Sequence, residues 1–84
     1  MMRIYVGNLS YKMTDESLAE AFAQYGEIAS ANIIIDRDTQ RSKGFGFVDM
    51  VDDAAAQSAI ERLNGQPLDG RNVVVNEARP RASR

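Results

Sequence analysis

The chain contains neither cysteine nor histidine. Those two absences remove disulfides, the usual structural zinc sites, thiol nucleophiles and the commonest general base. Long apolar runs are missing too, so no segment reaches the roughly 20 residues that a membrane helix needs. The opening Met1-Met2-Arg3-Ile4-Tyr5-Val6 does not read as a secretory leader. The expectation is an intracellular, cytoplasmic protein with no metal, no cofactor and no membrane partner. A basic excess is lacking as well: the formal net charge is −2, which argues mildly against a nucleic-acid ligand.

What is present is enough for one small domain. The 84 residues are 44% hydrophobic and 26% charged, the balance of a folded, water-soluble chain. The charges are also segregated. The two stretches that read as helices hold Asp15, Glu16, Glu20, Asp52, Asp53 and Glu61 against the single cation Arg62. Arg3, Lys12, Arg37, Arg41, Lys43, Arg71, Arg79, Arg81 and Arg84 lie outside them. That is the charge pattern of a molecule with an acidic helical side and a basic strand-and-loop side.

The most informative stretch is Lys43-Gly44-Phe45-Gly46-Phe47-Val48-Asp49-Met50. Side chains alternate faces along a strand. Lys43, Phe45, Phe47 and Asp49 therefore share one face, and Gly44, Gly46, Val48 and Met50 the other. Buried, the first face would take a lysine and an aspartate into a core. Exposed, it is a cationic aromatic platform of the kind that stacks unpaired bases.

The remaining elements decide between those readings. Arg3 to Leu9 alternates as a strand, with Ile4 and Val6 on one face and Arg3 and Tyr5 on the other; Gly7-Asn8 marks its end. Ser10 to Met13 is loop. Thr14 is an N-cap for a helix whose Leu18, Ala21, Phe22 and Tyr25 form one apolar stripe, and Gly26 ends it. Ile28 to Asp36 is a strand with Ala31, Ile33 and Ile35 inward and Ser30, Asn32 and Ile34 outward. A polar loop, Arg37 to Ser42, leads into the central strand. Asp52 or Asp53 caps a second helix with the stripe Ala56, Ala59, Ile60, Leu63, ended by Asn64-Gly65. Pro67 to Gly70 reads as turns. Arg71 to Ala78 is the last strand, with Val73 and Val75 inward and Val74, Asn76 and Ala78 outward. Tyr11 and Tyr25 are expected to pack at the periphery, and Asn8 to form a turn.

The order is β-α-β-β-α-β, an α+β, ferredoxin-like sandwich. Each helix has one apolar stripe, so both pack on the same face of a four-stranded antiparallel sheet. No third helix remains to cover Tyr5, Phe45 and Phe47, and the buried reading of the central stretch fails.

Ile4-Tyr5-Val6-Gly7-Asn8-Leu9 resembles the RNP2 motif of RNA recognition motif domains, and Lys43 to Met50 resembles their RNP1 motif. Together the two motifs are specific, and the resemblance spans about residues 3–79. It includes the small single-domain bacterial members and the domain of plant glycine-rich RNA-binding proteins. The domain is expected at 1–79, with 80–84 a short basic tail. One departure is Met50, where the motif usually carries an aromatic; by parity Met50 faces the core.

The resemblance implies strand order 4-1-3-2, which gathers the three rings into one patch. It also implies a monomeric, non-catalytic protein that binds single-stranded RNA. Single-stranded DNA is not distinguished. Tyr5 and Phe47 would each stack one base, and Phe45 would wedge against a ribose or a neighbouring base. Arg3, Arg41, Lys43, Arg79 and Arg81 would meet phosphates, and Asn32 and Asn76 would read base edges. Two alternatives keep the fold: a protein-binding module using the same face, or a general chaperone of single strands. Protein-binding members typically lose the strand aromatics, which this chain keeps. An acylphosphatase-like enzyme needs an arginine in the first strand-to-helix loop, and Gly7 to Met13 has none.

Overall fold

The computed structural model describes residues 2–39, 42–68 and 70–78, with the side chains of Ser42 and Lys43 outside the description. Its elements are β1 (Met2–Gly7), α1 (Asp15–Ala23), β2 (Ile28–Ile35), β3 (Ser42–Met50), α2 (Asp53–Leu63), β4 (Pro67–Leu68), β5 (Arg71–Asn72) and β6 (Val74–Glu77). Four of the strands form one sheet in the order β2-β3-β1-β6, with every pair antiparallel. That is the expected 4-1-3-2 arrangement, β6 serving as the fourth strand.

Alternation sorts the side chains. Ile4, Val6, Ile33, Val48, Met50, Val73 and Val75 point to one side and are buried with Leu18, Phe22, Ala56, Ala59 and Leu63 of the helices. Met50 is fully buried, as parity requires. Leu9 and Met13, in the loop before α1, are buried in the same core. Thr14 caps α1, its side chain accepting from the Ser17 amide at 3.1 Å. Asp52 does the same for α2 through the Ala54 amide at 3.0 Å.

Helix ends also tie down the sheet's outer strands. The Ile33 N–H donates to the Asp15 carboxylate at 2.7 Å, and the Val75 N–H donates to the Asn64 side-chain oxygen at 3.0 Å. Each bond occupies an outward-facing donor on an edge strand, which blunts the edge against further pairing.

Four readings change. Ile35 is 48% exposed and not core: it is the last residue of the edge strand β2, beyond an irregularity in the β2–β3 register between Ile33 and Ile35. The segment read as one strand from Arg71 is divided. Arg71–Asn72 pairs back on Pro67–Leu68 as a short hairpin, and only Val74–Glu77 joins β1. Gly26 does not act through a left-handed cap. The helix ends at Ala23, and a Cβ on Gly26 would lie 2.6 Å from that of Ala55, so the glycine lets the end of α1 approach α2. Tyr25 packs against the core as expected, whereas Tyr11 is 71% exposed.

Candidate nucleic-acid interface

The face of the sheet away from the helices carries a rung of four aligned residues. Asn76 on β6 pairs with Tyr5 on β1, Tyr5 with Phe47 on β3, and Phe47 with Asn32 on β2. Two rings are thus bracketed by two asparagines across the full width of the sheet. Gly7 lies opposite Phe45 in β3, and Val74 opposite Gly7.

The three rings form a closed triangle. Ring centroids are 5.9 Å apart for Tyr5–Phe45 and for Tyr5–Phe47, and 6.2 Å apart for Phe45–Phe47. Tyr5 and Phe45 are tilted by 33°, and Phe47 stands edge-on to Phe45 at 86°. These are favourable aromatic geometries, so the cluster holds its own shape. All three rings are partly exposed. A partly exposed, pre-arranged group of three aromatic faces can accept flat apolar ligands without first unpacking a core.

Two glycines make the platform possible, and the sequence reading assigned neither this role. A Cβ on Gly7 would fall 2.5 Å from the Tyr5 hydroxyl oxygen, so the Tyr5 ring lies down along the strand over bare backbone. A Cβ on Gly46 would meet the Asn32 carbonyl oxygen at 2.5 Å and the Ile33 Cα at 3.1 Å. That glycine lets β2 come close to β3 beneath the platform. Asn8 turns the chain in the left-handed region at φ 59°, which asparagine tolerates. It donates to the Asn72 carbonyl at 2.6 Å and accepts from Arg71 at 2.9 Å. Its part is structural, as expected.

Beyond Phe47 lies a polar rung. Arg3 pairs across strands with Asp49, and Asp49 with Ser30. The Arg3 guanidinium grips the carboxylate from its side, with Nε to Oδ1 at 3.0 Å and Nη2 to Oδ2 at 3.3 Å. The Ser30 hydroxyl donates to Oδ2 at 2.9 Å. Hydrogen bonding from Arg3 holds the Asp49 carboxyl below its ordinary range; desolvation opposes this, and the Ser30 bond adds to it. The same contact raises the Arg3 guanidinium. Arg3 also sits 5.7 Å from the centre of the Phe47 ring, within cation–π range. Asp49, whose charge would repel phosphate on this face, is therefore already neutralised by a partner.

Of the expected site residues, Arg3, Tyr5, Asn32, Phe45, Phe47 and Asn76 are on this one face. The backbone of Lys43 is in β3, and its side chain lies outside the described residues. Arg41, Arg79 and Arg81 lie outside them as well. Among the described residues no helix is long and apolar enough to cross a membrane.

Comparison with known proteins gives one consistent picture. The family profile of the RNA recognition motif matches residues 4–74. A glycine-rich RNA-binding protein of Daucus carota is 53% identical over 81 residues, covering 96% of this chain and 52% of the carrot protein. The putative RNA-binding protein RbpB of Nostoc is 51% identical over 83 residues, covering 99% of this chain and 81% of its own length. The chain thus spans about half the length of its plant relatives. Among solved structures, a crystal structure of RNA Binding Protein PG1 superposes with a TM-score of 0.92 at 48% identity, covering 99% of this chain and 100% of the other.

Proposed function

The chain belongs to the RNA recognition motif family, and from that premise we propose that its open sheet face binds single-stranded RNA without catalysis. The observation that carries this reading is the triangle of partly exposed rings, all within about 6 Å of one another on the helix-free face. Tyr5 and Phe47 each stack a base, and Phe45 supports a ribose or a neighbouring base. Stacking contributes roughly 1–3 kcal/mol per base. Two or three such contacts with a few phosphates give about micromolar affinity, near −8 kcal/mol. Asn32 and Asn76, at the two ends of the ring rung, carry both donors and acceptors and suit base edges. A duplex cannot splay its bases onto rings, so the ligand is single-stranded.

Lys43, Arg41, Arg79 and Arg81 supply phosphate contacts in this reading, the last two from the end of the domain at 1–79 and the tail at 80–84. Arg3 stands differently, since its charge is already matched by Asp49. Stacking needs no 2′-hydroxyl, and single-stranded DNA is a second ligand of the same face. The protein acts as a monomer inside the cell.

The test is the double variant Tyr5→Ala/Phe47→Ala, titrated with short RNA of mixed sequence and checked for folding by circular dichroism. Loss of binding in a folded protein is the expected result. Affinity equal to that of the unaltered protein would place the ligand elsewhere.

A further inference from the structure

We infer that Arg3, held in place by Asp49, is a guanine-reading residue for the base stacked on Phe47. The inference rests on the proposal that this face binds single strands, and it assigns that site a base preference. A guanidinium has five N–H donors in a rigid plane. The grip on Asp49 uses the Nε–H and one N–H of Nη2, the fork on the side of the group. The second fork, made by Nη1 and the other N–H of Nη2, points away from the carboxylate in the same plane. The side chain is 59% exposed, so this second fork is open to a ligand.

Position makes the fork useful. The guanidinium carbon is 5.7 Å from the Phe47 ring centre. Stacked aromatic planes sit about 3.5–4 Å apart. At 5.7 Å the guanidinium carbon is outside stacking distance of the ring centre, so a base taken up by Phe47 lies closer to the ring than Arg3 does and within reach of its donors. Two parallel donors select an edge with two adjacent acceptors. Guanine offers N7 and O6 and is the commonest partner of arginine in this geometry. Adenine puts an amino donor where guanine has O6, so donor would face donor. Cytosine also has adjacent acceptors, but its single ring reaches less far from the Phe47 centre than a purine does.

Asp49 and Ser30 complete the device. An exposed arginine samples many rotamers, and ordering it costs binding free energy. Here the carboxylate, itself held by the Ser30 hydroxyl at 2.9 Å, orders the guanidinium before any ligand arrives. The pair also removes the net charge, which suits Arg3 to reading edges and not to neutralising phosphate as the sequence suggested. Asp49 and Ser30 are positioning residues in this scheme.

The test uses uridine octamers carrying one central guanosine, adenosine, cytidine or 7-deazaguanosine, titrated by fluorescence anisotropy at fixed salt. Guanosine should bind at least about tenfold tighter than adenosine, the scale of one bidentate contact, and 7-deazaguanosine should lose most of that gain. Arg3→Lys keeps the charge but has no fork, and should bring the guanosine-to-adenosine ratio near one. Asp49→Asn should lower the same ratio. The ratio, not the absolute affinity, is the readout. A preference for cytidine, or equal affinity for all four octamers, overturns the guanine assignment while leaving the stacking platform intact. An unchanged ratio in Arg3→Lys also overturns it. Failure of every octamer to bind overturns the platform itself.

Discussion

Phe22 and Phe47 are the same side chain placed on opposite sides of the same sheet. Phe22 projects from α1 into the core and is fully buried. Phe47 projects from β3 to the other side and keeps part of its ring in water, beside Tyr5 and Phe45. Only the placement of the helices separates them. Both helices lie on one face, so the apolar residues beneath them are sealed and the three rings on the other face keep part of their surface in water. Burial assigns the first ring to stability, the proposed function assigns the second to recognition, and the two roles should separate under mutation.

The largest expected effect is Phe22→Ala. Truncating a buried aromatic typically costs about 3–5 kcal/mol, a large share of the roughly 5–15 kcal/mol that holds a domain together. Urea unfolding should show the midpoint falling steeply, with RNA binding lost only to the extent that the protein unfolds. Phe47→Ala is the counterpart. Its unfolding midpoint should move little, while affinity for single-stranded RNA should drop by about tenfold, one stacked base. If Phe47→Ala destabilises the protein as much as Phe22→Ala does, the two faces are not functionally distinct.

That contrast is largely legible in the sequence. Period-2 alternation in β1 and β3 places Tyr5, Phe45 and Phe47 together, and two one-sided helices leave them uncovered. What sequence could not supply was register. Arg3 and Asp49 share a face by parity alone, but only the pairing of Arg3 with Asp49 across β1 and β3 shows them bonded. Ile35 ends exposed where the edge strand stops, beside a register irregularity in which five residues of β3 (42–46), with Gly44 at φ 88°, face three of β2 (33–35); period-2 alternation carries no sign of where a strand loses its cover. Leu9 and Met13 are buried from a loop, where no periodic pattern exists to be read. The division of the last strand depends on a hairpin partner, Pro67–Leu68, that looks like turn residues in isolation.

Two glycines allow the same contrast to be drawn more finely. At Gly46, on the core side, an added Cβ meets backbone atoms of β2, which cannot move without parting the strands. Gly46→Ala should cost about 1–3 kcal/mol, as overpacking does, seen in the unfolding midpoint. At Gly7 the added atom meets the far end of the Tyr5 side chain, and a ring can swing away. Gly7→Ala should leave stability nearly unchanged but weaken RNA binding severalfold by tilting the ring off the strand. Equal stability losses in the two variants would mean that Tyr5 is as fixed as the backbone.

The smallest effect concerns acid. Asp49 is the open face's counterpart to the buried apolar groups: a charged side chain held by bonds and not by packing. Its carboxyl is lowered in the folded protein, chiefly by the hydrogen bond from Arg3. A carboxyl with a depressed folded pKa stabilises the fold above its unfolded value, near about 3.9 for aspartate, and that contribution disappears as pH falls through the lower, folded value. Arg3 stays charged throughout this range, so Asp49 alone sets the window. The stability of the unaltered protein should therefore decline between about pH 4 and more acid conditions by a component that Asp49→Asn lacks. Urea midpoints for both proteins at pH 7 and along the acid limb measure it. Parallel curves would show that the Arg3–Asp49 contact orders the guanidinium without adding to stability, and would confine its role to recognition.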